Sequence, residues 1–562
     1  MNVDEETIIT VLVLGVLVAL VIINYTASIY YNNNATKVTL VYSLSTTPIS
    51  SVTNNTNSSS DGKANSSITS IVNSTSTLAT IPFATFVRRN CPSLVGNFRP
   101  IWWLNSGHAQ TIFASTLATS KHVEFERETL ILPDNGRVAI DWAPQNHQIL
   151  PEETPIVILM HGLGGGSRDK YITDMIPSIL RHGYKAAAVN SRGCGGLAVD
   201  TPQLYSGSWT CDMRAMVSHI RNTNPRAVII GIGFSLGANI ITKMAGEDGV
   251  ECLLDALVAV ANPFDLLVGQ GFLESSWIGK EVYSRAMANS LKAFFNQHSQ
   301  IFKKHPNVST FTYPISINQV ESSTYLSEFD EACTSRMFGY RSASEYYRCG
   351  SSAPFIPDIT IPTLFLSDLD DPIAVSQAIP QYDIVLNPNI VLALTRRGGH
   401  LGWYEGKFFL PQRWYTKPIM EFCKAIIEAK QSLPDDLKSK FFEGGKQAVS
   451  KLNNQFDSHY IPPSIKASLL QQEPHEQQEK RIEKKSLHTQ TDVANVEKQK
   501  QDVANKTANI DKRQISVSVV YKFLQKFVES RSVEGLAAGK IFGFILAMYY
   551  FFWKPSRNSI KI

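Results

Sequence analysis

No C-x-x-C pair and no histidine spacing of the zinc-site kind occurs in this sequence, so neither a dithiol redox centre nor a structural zinc site is expected. The seven cysteines (Cys91, Cys194, Cys211, Cys252, Cys333, Cys349 and Cys423) are scattered and odd in number, which sets no disulfide framework and fits small core residues equally well. An excess of one charge is also lacking. A net +4 over 562 residues gives no reason to invoke nucleic acid or an acidic partner. Global disorder is excluded by a composition that is 43% apolar and 10% aromatic. A domain of roughly two to three hundred residues with appendages is the expectation for this length.

Long apolar runs are few, and the one at the start is the clearest. Thr7 to Tyr25 is a stretch of 19 uncharged residues, mostly leucine or β-branched, long enough as a helix to cross a hydrocarbon layer of about 30 Å. Acidic residues precede it (Asp4, Glu5, Glu6) and no clear small-residue cleavage site follows, so it reads as a transmembrane anchor rather than a signal peptide. Residues 31–88 are dominated by Ser, Thr and Asn and read as a flexible stalk, with sequons beginning at Asn34, Asn54, Asn57, Asn65 and Asn73. Sequons also arise by chance in such a tract, and the sparse flanking Lys and Arg leave the topology open. A single-pass protein of an endomembrane such as the ER is the expected setting. Residues 431–515 are rich in Lys, Glu and Gln and read as a charged linker, helical or disordered. The tail 516–562 carries a second apolar stretch, 536–553, which reads more readily as membrane-dipping than as a second span.

Between about 120 and 405 short β-branched runs alternate with helical stretches. Val123 to Leu132, the turn Asp134-Asn135-Gly136 and Val138 to Trp142 predict a hairpin. Pro155 to Met160, Lys185 to Asn190, Ala227 to Gly233, Ala256 to Ala261, Thr363 to Ser367 and Ile390 to Leu394 follow as continuous apolar runs. Continuity rather than alternation predicts parallel strands covered on both faces, hence an α/β fold.

The chemistry begins at Gly233-Phe234-Ser235-Leu236-Gly237, which follows one such strand and precedes the helical segment Ala238 to Ala245. That context predicts a nucleophile elbow, with Ser235 raised at the carboxyl edge of the sheet. Serine needs a histidine base, and the imidazole needs an acid that fixes its tautomer. His400, in Gly398-Gly399-His400-Leu401-Gly402 just after the last strand, is the candidate base. For the acid, Asp368, Asp370 and Asp371 compete at the end of the preceding strand. Asp371 is preferred because a residue before proline is held extended and presents its side chain from a turn. Asp370 is the runner-up, and a losing carboxylate is expected to stabilise the turn. An oxyanion would be met by the N–H of Leu236 and, from the loop His161-Gly162-Leu163-Gly164-Gly165-Gly166, by that of Leu163. The same glycine run lacks the G-K-S/T ending and the G-x-G-x-x-G spacing of phosphate-binding loops.

Several segments together resemble the AB hydrolase 4 (YheT-like) family of the α/β-hydrolase superfamily, especially its fungal members. Ser106-Gly107-His108-Ala109-Gln110-Thr111 is similar to the family's N-G-H-L-Q-T motif, departing at Ser106 and Ala109. The others are His161 to Gly166 with Ser167 and Tyr171, Asn190 to Gly196, Thr201 to Ser206, Phe329-Asp330, Tyr346-Tyr347-Arg348 and Asp370-Asp371-Pro372. The likeness runs from about 95 to 430. It implies an eight-stranded core and supports Ser235, Asp371 and His400 as the triad. It also implies action on medium-chain acyl esters, monoacylglycerols or phospholipids; ester hydrolysis on such a triad needs no cofactor. The two departures bear on substrate fit, not on mechanism.

The catalytic domain is thus expected over 89–430, behind an anchor at 1–30, with a helical cap at about 265–350. In that cap Trp277, Phe294, Phe295 and Phe302 line an acyl tunnel or simply form its core. A serine ester hydrolase acting on a lipid or small ester is the expected function. An alcohol acyltransferase making medium-chain ethyl esters on the same triad, and a non-catalytic binding protein of the same fold, are the alternatives.

Overall fold

The computed structural model describes residues 36–43, 82–304, 313–407 and 410–433. The expected anchor at 7–25, the sequons at Asn34 and 54–73, the linker beyond 433 and the tail lie outside these residues. Among the described residues no helix is long and apolar enough to cross a membrane.

A sheet of nine strands forms the centre: β1 (Thr39–Tyr42), β2 (Glu126–Ile131), β3 (Arg137–Ala143), β4 (Ile156–Met160), β5 (Lys185–Asn190), β6 (Ile229–Phe234), β7 (Ala256–Val260), β8 (Thr363–Asp368) and β9 (Ile390–Thr395). Their spatial order is β1-β9-β8-β7-β6-β4-β5-β3-β2. The six strands from β9 to β5 run parallel. Each is buried at every position, the outcome expected of unbroken apolar runs covered on both faces. The hairpin β2–β3 closes one edge antiparallel, and its burial alternates along β2 because one face meets water. Its turn places Asn135 at φ 63° and lets the Asp134 carboxylate accept from the Gly136 N–H at 3.0 Å, an Asx turn.

Among the described residues the sheet therefore has nine strands where eight were expected. The extra one, β1, comes from the tract read as flexible stalk and pairs antiparallel with β9, Leu40 opposite Ala393. Beside it Thr36–Lys37 pair with Asn97–Phe98. The stalk reading is corrected for these residues and for the helix α1 (Phe83–Asn90), which buries Phe83, Phe86 and Val87. A polar tract gives no apolar signal for a four-residue strand; the open backbone edge of β9 supplies the pairing.

Helices α2 (Gly107–Ile112), α3 (Lys170–Arg181), α4 (Cys211–Thr223) and α5 (Leu236–Asp248) follow in the chain, and α9 (Thr416–Gln431) ends the described part. Two clusters of buried side chains fill the two faces of the sheet, Ile172, Ile176 and Phe422 on one and Met216, Ile240 and Ile241 on the other. The insertion between β7 and β8 is helical, chiefly α6 (Leu266–Ser275), α7 (Arg285–Lys304) and α8 (Ala343–Gly350). It has its own core, in which Phe295 and Phe302 stack at 5.0 Å. Of the four aromatic residues offered for a tunnel, these two are cap core, Trp277 is 62% exposed, and only Phe294 lines the cavity above Ser235.

Candidate active site

Ser235 sits between β6 and α5 with φ 53° and ψ −122°, a conformation L residues adopt only when the surroundings enforce it. The enforcement is visible. Its N–H donates to Val260 of β7 at 2.9 Å, and its carbonyl accepts from Asn239 of α5 at 3.1 Å, so sheet and helix both grip the turn. A Cβ at Gly237 would come within 2.2 Å of the His161 carbonyl oxygen, which is why that flank of the serine must be glycine.

The structure brings the three candidate residues together. His400 Nε2 lies 2.8 Å from Ser235 Oγ. On its other side, Nδ1 lies 2.9 Å from Asp371 Oδ2 and 3.2 Å from Oδ1. Asp371 is buried and accepts from the N–H groups of Ile373 and Ala374, each at 2.8 Å, so its carboxylate is locked in place. The other two carboxylates have separate partners. Asp370 accepts from the N–H groups of Gly398 and Gly399 at 3.1 Å and so fastens the loop that carries His400. Asp368 accepts from the Asp370 N–H at 2.8 Å in an Asx turn and from the Thr395 hydroxyl. Burial first, and then the adjacent Asp370, push the Asp368 carboxyl well above the usual range.

In the loop after β4 the Gly162 N–H donates to the Tyr171 hydroxyl at 2.9 Å, and the Gly164 N–H donates to Tyr205. The Leu163 N–H between them makes no hydrogen bond among the described residues, and Leu163, Leu236 and Ser235 all line one cavity beneath the cap. A hydroxyl, an imidazole and a carboxylate hydrogen-bonded in series, on a cavity that Leu163 and Leu236 also line, are groups able to carry acyl transfer through a covalent intermediate. Among the described residues no cluster of His, Cys, Asp or Glu could hold a metal ion.

The profile described as "alpha/beta hydrolase fold" matches residues 155–406. A curated relative from Picea glauca, "Embryogenesis-associated protein EMB8", is 33% identical over 375 residues, covering 65% of this chain and 80% of its own. The chain belongs to the α/β-hydrolase superfamily. "Monoacylglycerol lipase" of Saccharomyces cerevisiae is 35% identical over 285 residues, 50% of this chain and 62% of its own length, so the likeness spans less than two thirds of that relative. "Putative esterase YheT" of Escherichia coli is 28% identical over 333 residues, 59% of this chain and 94% of its own.

Within this α/β-hydrolase the motif around Gly107 gains a physical role that residue types alone do not reveal. Thr111 Oγ1 accepts from the His400 N–H at 2.8 Å while donating to Gly107 O at 2.7 Å. Gln110 bridges Leu104 O and the Tyr404 N–H, both at 2.8 Å. A Cβ at Gly107 would fall 1.9 Å from the Asp370 carbonyl oxygen, so α2 is pressed against the acid turn. The motif is a bracket behind the histidine loop. Its departure at Ser106 is conservative, because the serine caps α2 by accepting from the Ala109 N–H at 3.2 Å, as asparagine would. Neither Ser106 nor Ala109 lines the cavity at Ser235. Thr111→Val keeps the shape but orphans a backbone donor at His400. We expect a stability loss of about 1 to 3 kcal/mol and a fall in turnover of about tenfold with little change in KM, read by calorimetry and steady-state kinetics.

Proposed function

We propose that this protein is a serine carboxylic ester hydrolase acting on lipid or medium-chain acyl esters through Ser235, His400 and Asp371. The observation that carries the reading is the unbroken relay from Ser235 Oγ to His400 Nε2 and from His400 Nδ1 to Asp371 Oδ2, at 2.8 and 2.9 Å. His400 takes the proton of Ser235 as the oxygen attacks the ester carbonyl. The developing oxyanion is met by the N–H groups of Leu163 and Leu236. His400, now cationic beside the Asp371 carboxylate, gives its proton to the departing alcohol; a water activated in the same way then releases the acid and restores the serine. The cavity over Ser235 is lined largely by apolar side chains, Leu204, Leu266, Leu273, Met287, Leu291 and Phe294 among them, a surface that favours an acyl chain over a polar substituent. The names of the relatives, a monoacylglycerol lipase and an esterase among them, support the same substrate class. The apolar run 7–25 would tether the domain beside a membrane that holds such substrates.

The test is to incubate the purified full chain with an octanoyl ester, with and without ethanol. Free octanoate forming in both, with ethyl octanoate as the minor product, is the expected result. Ethyl octanoate as the main product would replace hydrolysis by acyl transfer to alcohols, and no product from a folded protein would overturn the enzyme reading.

A further inference from the structure

The segment Thr201 to Ser206 has no part in the relay, yet one of its side chains reaches the loop after β4. The Tyr205 hydroxyl accepts from the Gly164 N–H and donates to the Gly162 carbonyl at 3.1 Å. A single oxygen thus closes a ring around Leu163, the residue whose N–H makes no hydrogen bond among the described residues. We infer that Tyr205 is a positioning residue for the oxyanion site, its hydroxyl bracing the Gly162–Gly164 backbone so that the Leu163 N–H stays aimed at the carbonyl oxygen of the substrate. The inference rests on the proposed hydrolysis and names what holds one of its two donors.

Three further observations support it. Burial, first among its causes, pushes the Tyr205 phenol well above its ordinary pKa, so the proton needed for the bond to Gly162 O is retained. The Gly162 carbonyl also accepts from His161, whose tautomer is set by its other partner: the Ser191 N–H donates to Nε2 at 3.2 Å, leaving the proton on Nδ1, 2.7 Å from that carbonyl. The Tyr205 ring is wedged edge-on between His161, with centroids 5.5 Å apart, and Phe294 of the cap at 6.2 Å. Loop, tyrosine and cap are therefore in one contact chain, and Tyr205 and Phe294 both line the cavity that the substrate would fill. A glycine-rich loop has many accessible backbone states, and a fixed donor is worth more than a mobile one because no reorganisation is needed when charge develops.

Tyr205→Phe removes the hydroxyl and keeps the ring between His161 and Phe294. On an octanoyl ester kcat is expected to fall about tenfold to a hundredfold, with KM within about twofold, because the lost contact acts in the transition state. Affinity for an octyl trifluoromethyl ketone, which forms an oxyanion on Ser235, is expected to weaken by the same factor. As a second variant, replacing Leu163 by its α-hydroxy acid deletes that N–H and leaves Gly162 with a weaker, ester carbonyl; a loss at least as large is expected, and adding Tyr205→Phe should then cost little more. Unchanged kcat in Tyr205→Phe, a rise in KM alone, or multiplying effects in the double variant would overturn the inference. Ser235→Ala separates the two levels: if it retains turnover, the proposed hydrolysis fails, whereas a dead Ser235→Ala beside a fully active Tyr205→Phe removes only the role of Tyr205.

Discussion

Ser235→Ala is expected to lower ester turnover by on the order of 10⁴- to 10⁶-fold and to abolish labelling by a fluorophosphonate probe, while the protein stays folded. The size follows from the geometry: among the described residues His400 Nε2 has only Ser235 Oγ, at 2.8 Å, to deprotonate, and the binding cavity and the amide donors alone recover only the small residue of catalysis. The variant keeps its Cβ, so the strained turn at φ 53° is unrelieved and thermal stability should change little. Ser235→Gly is the informative companion. Glycine adopts that conformation without steric cost, and release of strain of about 1 to 3 kcal/mol is set against the larger backbone entropy glycine loses on folding. A melting temperature at or above wild type with no turnover would mark the position as one held strained for chemistry. Labelling or substantial turnover in Ser235→Ala would remove the serine from the mechanism.

Much of this arrangement is legible in the sequence, and what is not has identifiable causes. The parallel strands are readable because each is a continuous apolar run; expected and observed ends differ by two residues at most, as between Ala227 to Gly233 and β6 at Ile229–Phe234. The strand β1 is hidden because it depends on a backbone edge some 350 residues away, not on its own composition. The same holds at the site. A G-x-S-x-G after a strand and a glycine-flanked histidine are local patterns, whereas Thr111 acts through His400 across 289 positions and Tyr205 through a loop 41 positions earlier. In the cap, Phe294 and Phe295 are neighbours in sequence on α7, and only the packing of its other helices decides that one faces the cavity and the other the cap core.

The choice among three carboxylates carries the second large effect. In Asp371→Asn the side-chain oxygen is fixed by the Ile373 and Ala374 N–H groups, both at 2.8 Å from Oδ1, which only an acceptor can satisfy. The amide nitrogen must then occupy the place of Oδ2, 2.9 Å from His400 Nδ1, and present a donor there. The imidazole can meet a donor only with an unprotonated Nδ1, so its proton moves to Nε2, facing the serine it should deprotonate. A fall in kcat of about 10³- to 10⁴-fold follows, with the fold intact. Asp370→Asn behaves differently. Its oxygen can still accept from Gly398 and Gly399, so the histidine loop stays fastened and turnover should remain within about tenfold of wild type. Asp370→Ala orphans those two amides and should lower stability and turnover together, by about 1 to 3 kcal/mol in the former. Kinetics of the three variants separate an acid that fixes the tautomer from one that fixes the loop. If Asp370→Asn were the near-dead variant and Asp371→Asn the active one, the roles read from these distances would be reversed.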